Sequence, residues 1–532
     1  MKKILYGGTS QRRLSSDKIS VIRVENFYGI EISDSAVNIA KIAMWFIEHQ
    51  MNLRFDSINY HESNLPLKSE AHIVKANALR TDWADILPPS NNVYVLGNPP
   101  FAGKKQQSKS QKADMKYVFE ENLADGGSKF KKYGNLDYVT AWYKKALDYI
   151  DGTNIEVAFV STNSICQGEQ VPILWKQLHE RYDFYINFAH KTFRWSNEAE
   201  NNAGVFVIII GFSRKERENK YLFTYPPHSS DFEKIKVKNI NSYLFDYDDV
   251  IIDSRTKPIS NVPKIQLGNM ANDNQGLIIK TLNEKERLIK KYPILKRYIK
   301  PFVGGQEFIN GDYRYCLWLA DNEDAILDIG DLPEIKERFD IVEKHRLASS
   351  RPQTRELADY YMLFGEIRQP ANDYILIPLN TSASRRYIPI GFMDKDIIVS
   401  NLASFINSDD LSLFGVLNSK MHMTWVDYIA GKLGNQYRYS NNIVYNNFPF
   451  PKLNESNKNE IIENAQKILD IREEFSRWSL FDLYSERMPS KLKKAHKKLD
   501  NVVDKSYRPT KFKDDMDRMK FLFDLYLEYT SD

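Results

Sequence analysis

Over the first 210 residues, short apolar runs alternate with segments whose apolar residues recur at helical spacing. F-Y-G-I-E-I (27–32) reads as a strand. Ser33 or Asp34 then caps a helix whose Ile39, Ala43, Phe46 and Ile47 fall on one face. V-Y-V-L-G-N (93–98), V-A-F-V-S-T (157–162) and F-Y-I-N-F-A (184–189) read as further strands. G-V-F-V-I-I-I-G-F (204–212) is apolar throughout, as in a strand covered on both faces. Strands alternating with helices predict an α/β sheet with crossover connections.

The texture changes near residue 230, where Tyr, Asn, Asp, Gly and Pro become frequent. Y-I-L-I-P-L (374–379) and R-Y-I-P-I-G-F (386–392) read as strands of a mixed α+β domain. From about 452 the chain is helical and charged, broken at Y-S-E-R-M-P-S (484–490). No internal repeat or low-complexity tract occurs. At 532 residues the chain is too long for one ordinary core. We place the parts at 1–228, 229–450 and 451–532.

Composition narrows the class. Hydrophobic residues make up 42% and charged residues 27%, as in soluble globular proteins. No apolar run is long enough to span a membrane. The basic N-terminus, M-K-K-I-L-Y-G-G-T-S, lacks the apolar core of a secretory signal, so a cytoplasmic location is expected. Cys166 and Cys316 form no C-x-x-C pair, which argues against a disulfide framework or a structural zinc site. They read as two reduced, partly buried thiols. Net charge is only +4, but residues 102–132 and 487–513 are rich in Lys and Arg. Either segment can neutralise phosphates or form a solvated face.

The stretch V-L-G-N-P-P-F-A-G (95–103) carries the chemistry. The exocyclic amine of adenine is a poor nucleophile because its lone pair is delocalised into the ring. Accepting hydrogen bonds from both N–H groups returns density to nitrogen. The side-chain oxygen of Asn98 and a following backbone carbonyl can do this together. Pro99 and Pro100 fix their own φ angles and hold that carbonyl. Phe101 can stack on the face of an extruded base. No general base is needed before attack, because the amine can lose its proton after methyl transfer. The segment therefore reads as an amino-methylating site at the carboxyl end of a strand, where open α/β sheets bind ligands. The plainer reading is a turn after a strand.

Residues at three other places bear on it. Glu31, with Ile32 beside it, ends the first strand and can accept from the ribose hydroxyls of an adenosine-containing cofactor. It can equally be a helix N-terminal charge. Asn77 and Ala78, about 20 residues upstream of the tetrapeptide, can reach the cofactor adenine. Phe193 can wall a base pocket or be a core aromatic.

Ordered motifs extend the match. G-I-E-I, N-A-L-R-T-D-W, G-N-P-P-F-A-G, L-D-Y-V-T-A-W-Y-K-K-A, V-S-T-N-S-I-C-Q-G-E-Q-V and F-A-H-K-T-F-R-W-S-N-E-A occur in sequence. R-Y-C-L-W-L, R-Y-I-P-I-G, L-F-G-V-L-N-S-K-M-H-M-T-W and R-Y-S-N-N-I-V-Y-N-N-F-P-F-P follow. From about residue 20 the chain resembles the methyltransferase, target-recognition and C-terminal parts of single-chain type IIL restriction–modification enzymes. The resemblance implies a Rossmann-like class I methyltransferase sheet, then a mixed α+β recognition domain and a helical C-terminal domain. It implies adenine-N6 methylation of double-stranded DNA with S-adenosylmethionine.

By position, Asn98, Pro99 and Phe101 fall on the catalytic motif, Pro99 supplying the carbonyl. Glu31 falls on the ribose-binding acid. Asn77 falls on the adenine contact, where other amino-methyltransferases often carry Asp. Phe193 falls on the aromatic packed against the flipped base. In the recognition part, S-A-S-R-R-Y (382–387) and G-N-Q-Y-R-Y-S (434–440) offer Arg385, Arg386 and Arg438 to guanine edges or phosphates.

One departure stands against the match. The family's Gly-rich cofactor loop, of the D-P-A-C-G-S-G-N-F type, is absent, and only Y-G-G-T-S (6–10) precedes G-I-E-I. The triplet E-I-K (334–336), with no P-D before it, reads as chance. The expectation is a sheet incomplete at its N-terminus, with weak cofactor binding unless an upstream chain completes it. A DNA-recognition remnant without methyltransferase activity is the second reading. Methylation of a protein glutamine amide is a third, disfavoured by Phe101 and by the bulk that follows the catalytic part.

Overall fold

A computed structural model describes residues 22–55, 70–123, 128–195, 205–226, 231–322 and 324–531. The Y-G-G-T-S segment lies outside them. The chain forms two compact units. The first comprises 1–165, 176–193 and 207–240, and the second comprises 166–175, 194–206 and 241–532.

The first unit opens with β1 (Tyr28–Glu31), α1 (Asp34–Phe55) and β2 (His72–Lys75). β1 and β2 pair in parallel as a separate two-stranded sheet. Then come β3 (Tyr94–Gly97), α2 (Lys109–Lys116), α3 (Thr140–Tyr149), β4 (Glu156–Thr162) and α4 (Gln170–His179), of which only the part from Lys176 belongs to this unit. The last strands of the unit are β5 (Tyr185–Trp195), β6 (Val205–Ser213), β7 (Lys220–Thr224) and β8 (Glu233–Val237). With β3 and β4 they form a six-stranded sheet in the order β3-β4-β6-β5-β7-β8. β3 runs parallel to β4, and β6 runs antiparallel to it. From Val205 the apolar run thus becomes an interior strand, as its composition predicts.

α3 covers the sheet. Its Tyr143 ring lies 5.5 Å from both Phe159 of β4 and Phe212 of β6. The Tyr143 hydroxyl meets Ser161 Oγ at 2.7 Å, so the buried hydroxyls satisfy each other. β3 closes one edge of this sheet. Its Leu96 is 79% exposed, and Tyr94 is exposed beside it. The helix stripe expected to face the core is also uncovered. Ile39 is 66% exposed, and Ile42, Phe46 and Ile47 are exposed with it. Among the described residues no strand joins β3 to the β1–β2 pair.

The second unit contains three small sheets. One includes β9 (Ile265–Leu267), and another includes β10 (Ile278–Ile279), β11 (Ile299–Val303) and β12 (Arg314–Leu317). After α5 (Pro333–Leu347) come β13 (Tyr374–Pro378) and β14 (Asn380–Ser382). R-Y-I-P-I-G-F forms a strand only at its end, β15 (Gly391–Met393). Pro389 cannot donate to a ladder, and Tyr387 and Ile388 instead bond Asp500 and Met423. β16 (Ile398–Val399) joins the β10–β12 sheet, and β17 (Ala403–Ile406) lies between β13 and β9.

Helices α6 (Leu411–Leu417) and α7 (Lys420–Ile429) precede β18 (Gly431–Leu433) and β19 (Gln436–Arg438). The C-terminal helices are α8 (Glu455–Glu474), α9 (Ser490–Tyr507) and α10 (Asp515–Thr530). A short helix at Leu480–Leu483 precedes the break at 484–489. α8 packs closely on α6. A Cβ at Gly415 would lie 2.5 Å from Ile461.

Candidate active site and nucleic-acid interface

Asn98 leaves the carboxyl end of β3 exposed, and its side chain makes no hydrogen bond among the described residues. Pro99 is buried, yet its carbonyl also accepts no hydrogen bond among them. Two free acceptors therefore sit side by side in the chain. Pro100 is exposed and the Phe101 ring half-buried.

The backbone after them is braced. Ala102 N–H donates to Asp137 Oδ1 at 3.2 Å. Ala102 carbonyl accepts from Tyr138 N–H at 3.0 Å and from Gln107 Nε2 at 3.0 Å. Burial raises the pKa of Asp137 above the ordinary carboxylate value, against the lowering effect of the N–H groups it accepts. Before Asn98, a Cβ at Gly97 would press within 3.1 Å of the Phe159 ring. The tetrapeptide is thus held at both ends while its polar groups stay open.

On the cofactor side, Glu31 turns one carboxylate oxygen onto the start of α1. Oε1 accepts from Ile32 N–H at 2.8 Å and Ser33 N–H at 3.4 Å. Oε2 makes no bond among the described residues, so the helix-charge role and a ribose contact are compatible. Ile32 is exposed. Asn77 Oδ1 accepts from Leu79 N–H at 3.0 Å, and Nδ2 donates to Asp114 Oδ2 at 3.0 Å. Ala78 gives its carbonyl to Trp83 Nε1 at 2.9 Å, and its N–H makes no bond among the described residues. An open carboxylate oxygen, an amide carbonyl and a free N–H form a donor and acceptor set that fits an adenosine group.

Phe193 lies near the end of β5, with β4 and β6 between that strand and β3 in the sheet order. Its ring stacks on Tyr225 at 4.7 Å. His190 joins this cluster, meeting Tyr225 Oη at 2.7 Å and stacking on Phe223 at 4.2 Å. Burial lowers the His190 pKa.

In the second unit the fold brings together the two distant segments that carry Arg385, Arg386 and Arg438. β14 pairs antiparallel with β19, placing Asn380 opposite Arg438 and Ser382 opposite Gln436. β18 completes the sheet, with Gly434 at φ +57° in the hairpin, where a side chain would be strained. Arg386 and Arg438 are exposed and without ion pairs among the described residues. Arg385 is half-buried, with its guanidinium 5.2 Å from the Phe481 ring centroid. Burial lowers the Arg385 pKa. In the basic segments, Lys116 pairs with Glu121, Lys129 with Glu120 and Lys491 with Glu474. Lys105, Lys109, Lys494 and Lys497 are exposed without ion pairs among the described residues.

Asp114, Asp137 and Tyr138 gain a place at this site that sequence reasoning missed. For Asp137 and Tyr138 the signal was present in the L-D-Y-V-T-A-W motif, but the partners of all three residues lie 24 to 37 positions away. Among the described residues, no group of His, Cys, Asp and Glu is arranged to hold a metal. No helix among them is long and apolar enough to cross a membrane.

Comparisons with known proteins agree along the whole chain. Residues 4–224 match the MmeI DNA-methyltransferase domain, 246–452 the MmeI target recognition domain, and 453–532 the MmeI C-terminal domain. DNA methyltransferase A of Bacillus subtilis (strain 168) is 44% identical over 515 residues, covering 96% of this chain and 56% of that protein. The chain thus spans little more than half the length of that curated relative. The structure of the type IIL restriction–modification enzyme MmeI in complex with DNA matches with a TM-score of 0.87 at 42% identity. That match covers 99% of this chain and 69% of the other. This chain therefore belongs to the MmeI family of type IIL restriction–modification enzymes.

Proposed function

We propose that this chain is the methylating and target-reading part of a DNA adenine-N6 methyltransferase in a restriction–modification system of the bacterial cytoplasm. The observation that carries the reading is the pair of unengaged acceptors, Asn98 Oδ1 and Pro99 carbonyl, on a braced strand end. An amino group has two hydrogens to give, and these acceptors can take both. Phe101 supplies a half-buried face for the base. Extruding that base from the duplex costs a few kcal/mol, and stacking on Phe101 offsets part of it. Phe193 is the candidate for a second aromatic wall.

S-adenosylmethionine supplies an electrophilic methyl group. Glu31, with Ile32 beside it, binds the ribose through its open oxygen. Asn77 and Ala78 address the adenine through a carbonyl and an N–H. Arg438 contacts the DNA from the small β14-β19-β18 sheet and Arg386 from the segment that follows β14, as phosphate or base-edge contacts, and Arg385 supports that surface. The open β3 edge and the apolar stripe of α1 support a further partner. This is an upstream polypeptide segment, in the same or a separate chain, that brings the Gly-rich cofactor loop.

The test is transfer of labelled methyl from S-adenosylmethionine to mixed-sequence DNA. It compares this chain, a form extended upstream through the Gly-rich loop, and Asn98→Ala in each. We expect strong activity in the extended form, at least 100-fold lower in Asn98→Ala, on the scale of losing a transition-state hydrogen-bond acceptor. Sequence-specific DNA binding with no transfer by either form would establish the recognition-remnant reading instead.

A further inference from the structure

Asn77 has both ends of its amide committed to opposite kinds of partner. Leu79 N–H can only donate, so the atom facing it is Oδ1. Asp114 accepts from Asn77 Nδ2, and the same Oδ2 accepts from Tyr138 hydroxyl at 2.8 Å. Asp114 Oδ1 accepts from Arg80 Nε at 2.7 Å. A carboxylate that takes three donors leaves only the NH2 group of Asn77 free to face it. The carbonyl oxygen then has one lone pair remaining beyond its bond to Leu79. Asp114 itself is nearly buried, with only 6% of its surface exposed. It sits on α2, whose start is fixed by Ser108 and Gln111 bonding reciprocally.

We propose that Asp114 is a positioning residue that locks Asn77 as a hydrogen-bond acceptor. By this means the neutral amide selects the 6-amino group of the cofactor's adenine and rejects a 6-keto purine. The inference rests on the reading of Asn77 as the adenine contact and adds the residue that enforces it. A carboxylate in place of this amide would accept without help. An asparagine can present either end, and its orientation must be imposed from behind.

The chemistry predicts how the lock breaks. In Asp114→Asn, the Arg80 cation draws the new carbonyl oxygen to itself. The new NH2 group then faces Asn77, which turns its own carbonyl inward and offers N–H outward. Adding Asn77→Asp restores an outward acceptor, because the introduced carboxylate accepts from the introduced amide and from Leu79 N–H alike.

The experiment is saturation-transfer NMR with S-adenosylhomocysteine and its 6-keto inosine counterpart, which detects binding even at millimolar dissociation constants. The Asn98→Ala form of the full chain is used throughout, so that the base pocket does not contribute. The unmodified site should favour the amino ligand about tenfold, the value of one net hydrogen bond near 1.4 kcal/mol. Asp114→Asn should bring the ratio to unity or invert it. The double variant Asn77→Asp/Asp114→Asn should return it, which a merely structural role for Asp114 would not do. A preference that survives in a folded Asp114→Asn protein, or no preference at the start, overturns the proposal. Glu31→Gln serves as the separate check on the cofactor reading. It should weaken both ligands equally, since they share the ribose. No effect there, or no binding of either ligand even by the form extended upstream through the Gly-rich loop, sinks the cofactor reading itself and the lock with it.

Discussion

Asp137 shows how one side chain can govern a site it does not enter. Its carboxylate accepts from Ala102 N–H and Val139 N–H in a buried setting. Asp137→Ala leaves both donors unpaired, at about 1–3 kcal/mol for each buried group. We expect kcat to fall at least tenfold with the KM for DNA little changed, because the loop after Phe101 loosens while the recognition sheet does not. Asp137→Asn keeps an acceptor oxygen and should recover much of the rate. Steady-state kinetics on a specific duplex, in the extended form, separates the two variants. Asn98 and its prolines are legible in the sequence because their meaning is local, a strand end followed by rigid residues. Asp137 is not, because its partner Ala102 lies 35 positions away.

The small β14-β19-β18 sheet makes a prediction about salt. Arg386 and Arg438 are exposed and unpaired among the described residues. If either holds a phosphate, its replacement by alanine weakens binding evenly across sequences and lowers the salt slope by about one unit. If either reads a guanine edge, the loss is about 1–3 kcal/mol at one position and specificity relaxes there. Binding titrations over a salt series on cognate and single-mismatch duplexes distinguish the roles. Arg385→Ala should act mainly on stability, since its guanidinium packs on Phe481. In the first unit, β6 depends on Gly211. A Cβ there would lie 2.0 Å from the Phe188 ring. Gly211→Ala should therefore destabilise that unit by about 1–3 kcal/mol through overpacking, read as a lower melting temperature. A run of β-branched residues announces β6, but the reason for the glycine within it lies on β5.

The second unit couples its helices through buried histidines, and this sets its response to acid. His422 accepts from Tyr439 hydroxyl through Nε2 and donates from Nδ1 to Leu417 carbonyl. His496 meets Tyr484 Oη at 2.8 Å, and Arg472 donates to the same oxygen. Burial pushes the His422 pKa down to about 4 and that of His496 to about 3. A histidine lowered in the fold gives stability that is whole above its unfolded pKa near 6.5. That stability is lost as pH falls toward the folded value. At pH 5 each therefore forfeits about 2 kcal/mol. Asp500 works in the opposite direction. Burial raises it to about 6, so its contribution is present below about 4 and lost as pH rises through 6. Two histidines outweigh one aspartate, and the hydrogen-exchange protection factors of α7 and α9, which correct for the slower intrinsic exchange in acid, should fall between pH 7 and pH 5. His422→Asn should flatten that dependence in α7. Arg346 on α5 is a second point of dependence. It is fully buried and donates to the carbonyls of Ala271, Asn272, Leu357, Tyr360 and Leu363. Arg346→Lys cannot reach five carbonyls with three donors. We expect a loss of about 3 kcal/mol or more, measured by chemical unfolding.

Residue order and type were enough to mark β1, β3, β4 and β6, the Asn98–Phe101 turn and the change of texture near residue 230. Each is a short-range signal: a side-chain period, a rigid dipeptide or a composition. Tertiary structure decided what such signals leave open. Periodicity places Ile39, Phe46 and Ile47 on one face of α1, but it cannot say whether anything covers that face, and among the described residues nothing does. It shortened R-Y-I-P-I-G-F to a strand at its last residues, because Pro389 cannot join a ladder. It joined S-A-S-R-R-Y to G-N-Q-Y-R-Y-S across about 50 residues of chain. It also gave Asp114 its partners Asn77 and Tyr138. Pairings of this kind depend on which backbone segments lie side by side, and no local pattern of residues encodes that.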